Sequence, residues 1–170
     1  KGEQIREKLG TEFVGKKIIY VEQKELKGTA HAVSLCKDLI RGRFLTLMGD
    51  DIYDKRDLEK LVKNPLGILV WQLTDDQDNS DLQGGVVKVN EAGELIDIVE
   101  HAPGRSGTLI NAAAYVLNEY FFKYPLVGAG KPAEEFGLPQ TFLQMVRTGA
   151  KFAVVPATAW HKVASPEDLK

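Results

Sequence analysis

Cysteine occurs once in this sequence, at Cys36, so no disulfide can close within the chain. A reducing cytoplasm is the compartment that this usage suggests. An excess of one charge is missing too. The 22 Lys and Arg residues stand against 24 Asp and Glu, for a formal net charge of −2. Bulk electrostatics therefore gives no reason to expect a nucleic acid or an anionic membrane as partner. No apolar run approaches bilayer length and no signal peptide is visible, so no membrane span is expected. His31, His101 and His161 lie too far apart for a zinc motif. Ser34, Ser80, Ser106 and Ser165 lack a nucleophile-elbow context, which leaves a serine hydrolase without support. Internal repeats and low-complexity tracts are absent.

What is present reads as one domain, residues 1–170, large enough to bury its own core. Ile5–Leu9 reads as the end of a helix stopped by Gly10. Lys17–Glu22 (KIIYVE) reads as a strand, Thr29–Ile40 as a helix, Phe44–Met48 as a strand and Asp54–Lys63 as a helix. Gly67–Leu73 follows as a buried strand. Gly85–Asn90 and Glu94–Glu100 form a hairpin, and Leu109–Leu117 a strand whose following Asn118 can cap a short aromatic helix. Glu135–Thr148 reads as a helix and Lys151–Pro156 as a strand. Asp75–Asp81 is polar and reads as a surface loop. Alternating helices and strands argue for an α/β layer with a parallel sheet, made mixed by the hairpin. Near the C-terminus, Ser165, Pro166, Glu167 and Asp168 announce a helix that the sequence ends within. The sequence therefore reads as part of a longer polypeptide.

Two stretches carry chemistry. FLTLMGDDIY, Phe44–Tyr53, runs an apolar strand into Gly49 and two aspartates with no cation beside them. Ligands of open α/β sheets bind beyond the carboxyl ends of strands. Magnesium is held by one or two carboxylates plus waters and substrate phosphates. Neighbouring aspartates point apart, so one of Asp50 and Asp51 would bind metal. The competing reading is that Asp51 begins a turn and caps the next helix. In QKELKGTAHAV, Gln23–Val33, a glycine precedes a helix start that offers free N–H groups. Gln23 carries both donor and acceptor, which suits a nucleobase edge. Alternatively, Thr29 is simply an N-cap.

The order of these pieces resembles the sugar-1-phosphate nucleotidyltransferases, also called nucleotide-diphospho-sugar pyrophosphorylases. It runs Q-x4-GTA-x-A, an apolar strand ending GDDI, GVV, V-E, an Asn before a strand, and W-x5-PEDL. The resemblance covers nearly the whole chain. It implies a Rossmann-like α/β fold with a mixed, mostly parallel sheet flanked by helices. It also implies that an NTP and a sugar 1-phosphate become an NDP-sugar and pyrophosphate, with Mg2+ as cofactor. Gln23 and Gly28 would contact the base, with Thr29 beside them, and Gln23 leans toward UTP or dTTP. Asp50 would be the catalytic metal ligand. Gly85 would let backbone approach the sugar, while Glu100 and Asn111 would hydrogen-bond its hydroxyls.

Three departures from the family pattern stand out. The glycine-rich signature loop, with its Arg and catalytic Lys, would lie upstream of the first strand read here, so the domain reads as N-terminally truncated. Lys162 stands two residues after Trp160, where the family often has a second metal-ligating aspartate; it is a candidate phosphate contact. His101 and Ala102 follow Glu100 where the family places Lys and Pro, and Lys131 or Arg105 are candidate substitutes. The alternative implied by these departures is a non-catalytic nucleotide-sugar-binding or regulatory homologue. His161, beside Trp160, is a further candidate for the site, and Cys36 is expected in the core.

Overall fold

The computed structural model describes residues 2–75, 84–130, 135–163, 165 and 168. The expected Asp75–Asp81 loop beyond its first residue lies outside the described residues, as do Lys131, Pro166 and Glu167. Helix α1 (Gly2–Leu9) ends as expected at Gly10, in a positive-φ turn whose N–H reaches the Arg6 carbonyl. Strands β1 (Glu12–Phe13) and β2 (Lys16–Lys17) form a small ladder of their own. Next come α2 (Thr29–Ser34), β3 (Arg43–Thr46), β4 (Asp51–Tyr53) and α3 (Lys55–Leu61). β5 (Gly67–Gln72), β6 (Val86–Val89), β7 (Leu95–Val99) and β8 (Leu109–Asn118) follow. A short 3-10 helix (Glu119–Lys123), α4 (Leu138–Arg147), β9 (Ala153–Pro156) and β10 (Trp160–Lys162) complete the order.

The main sheet has six strands in the order β7-β6-β8-β5-β9, with β3 also paired to β8. Strand β8 organises it. Its sequence, LINAAAYVLN, is almost continuously buried, as expected of a strand covered on both faces. Ile110, Ala112, Ala114 and Val116 face a core shared with Leu61 of α3, while Tyr115 and Leu117 face one shared with Leu138, Phe142 and Met145 of α4. That alternation is the period-2 geometry of a strand. Helix α4 lays its apolar stripe on the sheet for the same reason, with Leu138, Phe142 and Met145 at helical spacing.

The α/β class and the mixed sheet agree with the sequence. The expectation of mostly parallel pairing needs correction. Strands β3, β5, β6 and β9 do run the same way, but β8 runs against them and sits between them. Only the β5–β9 pairing in this sheet is parallel among the described residues. KIIYVE is not a strand beyond Lys17. Residues 18–22 find no ladder partner among the described residues, and Ile19 stays 56% exposed. Helix α2 stops at Ser34 and continues only as turns, which leaves Cys36 half-buried instead of in the core. Helix α4 begins at Leu138, three residues later than expected. The hairpin turn forms as read, with the Asn90 side chain accepting from the N–H groups of Ala92 and Glu94. Asn118 likewise accepts from Tyr120 N to cap the aromatic 3-10 helix.

Candidate functional site

The second aspartate of GDD neither turns nor caps. Asp54 is the N-cap of α3, accepting from Arg56 N at 2.7 Å. Asp51 opens β4, which the sequence reading did not contain. β4 pairs antiparallel with β10, Asp51 opposite Lys162 and Tyr53 opposite Trp160. Register partners share a face of a two-stranded ribbon. Asp51, Tyr53, Trp160 and Lys162 therefore lie on one face, and Ile52 and His161 on the other. His161, a candidate for the site, is exposed there and is not among the residues that line the cleft.

The inner face of this ribbon closes a cleft of about 250 Å³. Asp50, Asp51, Gly85, Glu100, Asn111 and Lys162 line it, from five separate stretches of sequence. Asp50 is exposed, its carbonyl fixed by Val163 N at 2.8 Å. Asp51 is more enclosed: its Oδ2 accepts from the Tyr53 hydroxyl at 3.0 Å, while its Oδ1 is buried with no hydrogen-bond partner. Burial, then the Asp51 charge, pushes the Tyr53 hydroxyl well above the usual phenol range, so it stays a donor. Glu100 passes close over Gly85. A Cβ on Gly85 would stand 2.6 Å from Ile98 Cγ2 and 3.0 Å from Glu100 Oε2, so glycine is what admits the carboxylate. Gln140 Nε2 donates to the other oxygen, Oε1, at 3.3 Å.

Asn111 is 8% exposed. Its Oδ1 accepts from Ala113 N at 2.9 Å, and its Nδ2 donates to the Tyr115 hydroxyl at 2.7 Å. Ala113 takes a left-handed φ of 54°, rare for a residue with a side chain, and the β5–β8 register shifts around it. The bulge aims the Ala113 carbonyl at the Tyr53 hydroxyl, 3.3 Å away. One amide proton of Asn111 is left for the cleft. Tyr53 and Tyr115 are the residues bracing the site that sequence reasoning missed, while Asp51, weighed there as a metal ligand or a cap, lies in a strand. The alternation in DIY was the signal that could have found Tyr53. Tyr115 gave none, because a buried tyrosine on an apolar strand reads as packing.

Gln23, Gly28 and Thr29 do not line the cleft. They form a second cluster against the start of α4. Thr29 is not the N-cap of its own helix; Gly28 holds that place without a side-chain bond. The Thr29 hydroxyl instead accepts from Leu138 N at 3.0 Å and so caps α4, whose own N-cap is Gly137. Gly28, at φ 85°, packs so closely that a Cβ would lie 2.6 Å from the Phe136 carbonyl oxygen. Gln23 Nε2 donates to the Gly28 carbonyl at 3.0 Å and meets His31 Nδ1 at 2.9 Å. The first turn of α4 thus touches both clusters, Thr29 through Leu138 and Glu100 through Gln140.

Comparison with known proteins places the fold. A family model described as nucleotidyl transferase matches residues 1–169. The bifunctional protein GlmU of Methanococcus aeolicus is 27% identical over 156 residues, covering 90% of this chain and 36% of that protein. The chain thus spans about a third of the length of such relatives. The UTP–glucose-1-phosphate uridylyltransferase AglF of Haloferax volcanii is 22% identical over 171 residues, covering 99% of this chain and 70% of that protein. The solved structure of the inositol-1-phosphate CTP transferase from T. maritima superposes with a TM-score of 0.72 at 21% identity, covering 99% of this chain and 67% of that one.

Proposed function

As this chain belongs to the nucleotidyl transferase family, we propose that it carries the reaction site of an enzyme making an NDP-sugar and pyrophosphate from an NTP and a sugar 1-phosphate. The observation that carries this is the convergence of Asp50, Gly85, Glu100, Asn111 and Lys162 on one cleft. In the reaction, a phosphate oxygen of the sugar 1-phosphate attacks the α-phosphorus. The bond from that phosphorus to the bridging oxygen breaks, and pyrophosphate leaves with the electron pair.

Asp50, exposed at the cleft, offers hard carboxylate oxygens, and Asp51, whose Oδ1 is buried and unpartnered, lines the same cleft. No cluster of three or more ligating side chains occurs among the described residues. A pair of carboxylates fits magnesium, which keeps waters and substrate oxygens in its shell. When bound, the cation would screen the phosphates and help align them. Lys162 brings a positive charge to the same wall and would hold a phosphate oxygen. Glu100 would accept from sugar hydroxyls through Oε2, and Asn111 would donate its remaining amide proton to one. Gly85 would let the sugar lie against backbone. Gln23, Gly28 and Thr29 would bind the base, with a lean to uracil or thymine. No helix among the described residues is long and apolar enough to cross a membrane, and the lone cysteine supports a cytoplasmic site of action.

Calorimetric titration of the full-length protein with UTP, dTTP, UDP-glucose, UDP-N-acetylglucosamine and GDP-mannose, each with and without magnesium, tests the reading. Nucleotide binding strengthened by magnesium is the expected result. Binding indifferent to magnesium would favour a non-catalytic nucleotide-sugar-binding homologue, for which Lys162 opposite Asp51 speaks. No binding would overturn both.

A further inference from the structure

We propose that Gln140 is a positioning residue that holds the Glu100 carboxylate in its place over the cleft, and that Gly137 leaves the room this amide needs. The proposal rests on the reading of Glu100 as a sugar contact and adds what keeps that contact in place. Glu100 stands one residue past the end of β7, where the ladder with β6 stops at Val99. The backbone then turns at His101, whose left-handed φ of 54° is rare for a residue with a side chain. A glutamate beyond its ladder has several side-chain torsions to fix before it can meet a ligand in one pose. Gln140 Nε2 donates to Glu100 Oε1 at 3.3 Å. A carboxylate can only accept, so the nitrogen end of the amide is the end that faces it. Oε1 is thereby held from α4, while Oε2 lies over Gly85, where a Cβ would stand 3.0 Å from it. Gly85 and Glu100 both line the cleft.

Gly137 supplies the space. Its φ of −83° and ψ of 134° suit any residue, so conformation does not call for a glycine here. A Cβ there would collide with Gln140 Oε1 and stand 2.7 Å from Gln140 Cδ. The amide of Gln140, third residue of α4, therefore lies folded back over the N-cap of its own helix. The turn that carries it is fixed at two further points. Leu138 N donates to Thr29 Oγ1 at 3.0 Å, and Gly137 N donates to the Val127 carbonyl at 3.0 Å. The positive end of a helix favours a nearby carboxylate, so the first turn of α4 brings charge as well as a donor to Glu100. A neutral amide suits this place where an acid would not, because two carboxylates in contact repel.

The test separates this contact from the function on which it depends. In NMR of the ligand-free, full-length protein, the side-chain amide signals of Gln140 should move in Glu100→Ala. Those of Gln144, which donates to the Pro125 and Thr141 carbonyls, should stay. Unmoved Gln140 signals would overturn the proposal without touching the proposed function. Pyrophosphate release is then measured from UTP with glucose 1-phosphate or N-acetylglucosamine 1-phosphate, and from GTP with mannose 1-phosphate. The assays run at about pH 8, above the ordinary glutamate range. Gln140→Met keeps the length and loses the donor; Gln140→Glu keeps the shape and sets a second carboxylate against the first. The KM for the sugar phosphate should rise about tenfold in Gln140→Met and further in Gln140→Glu, with the KM for the nucleotide and the urea midpoint unchanged. Gly137→Ala should raise it as Gln140→Met does, and should add nothing in a Gln140→Ala background, where no amide is left to displace. A Gln140→Glu protein that matched the wild type would mean that shape alone matters, and equal rises in both KM values would mean a structural role only; either would overturn the proposal. Absence of nucleotide-sugar binding by the wild type would overturn the function and the positioning role together, whatever the amide signals report.

Discussion

Asp50 and Asp51 differ by one position and by nearly everything that matters to a carboxylate. Asp50 is exposed at the cleft, while Asp51 is tucked into the ribbon with Tyr53 on one oxygen and nothing on the other. Asp50→Asn should therefore abolish the magnesium dependence of nucleotide binding while leaving unfolding by urea unchanged. An unaltered magnesium dependence would remove Asp50 from the metal assignment. Tyr53→Phe acts differently. It takes the hydroxyl from both Asp51 Oδ2 and the Ala113 carbonyl. Two groups lose their donor, so stability should fall by about 1–2 kcal/mol, read as a shift in the urea midpoint.

Elements in this fold are tied together by single polar side chains, and the buried Asp57 is the clearest. It sits in the first turn of α3, fully buried, and reaches across to the turn before β10. Burial alone would raise its carboxyl. Bonds from Thr158 N and Oγ1, and from Lys60 Nζ at 3.0 Å, outweigh that and hold it at about 2. Because the folded value lies below the ordinary 3.8, the stabilisation is full above about pH 4. It is lost as pH falls toward 2. Asp57→Asn should cost about 2 kcal/mol at pH 7. The gap to wild type in urea unfolding should narrow between pH 4 and pH 2. A gap that stayed constant would mean the charge of Asp57 contributes nothing. Thr29→Val tests a second tie. It removes the hydroxyl that caps α4 from 109 residues away. About 1 kcal/mol is expected, with faster amide exchange confined to the first turn of α4.

At the scale of the whole molecule, strand β8 is the axis on which the two cores meet. Leu117, fully buried there, should cost about 2–5 kcal/mol when cut to Ala. Ile19→Ala, in the segment that the sequence made a strand, should stay within about 0.5 kcal/mol. A large loss at Ile19 would show that residues 18–22 pack somewhere after all. The contrast marks where sequence and fold part. The sequence alone determined the α/β class, the hairpin and the cap at Asn118, and its resemblance to the family singled out Asp50, Gly85, Glu100, Asn111 and Lys162, which line one cleft. These rest on local chemistry: hydrophobic period, turn residues, and short motifs in a fixed order. Tertiary structure alone decided that β8 would run against its neighbours, that Asp51 would open a strand facing Lys162, and that Thr29 would cap a helix far along the chain. It also decided that Gln23 would meet His31 with its nitrogen end. Each of these depends on which distant backbone group arrives beside the residue. Residues that share no local period carry no trace of that meeting in their own sequence.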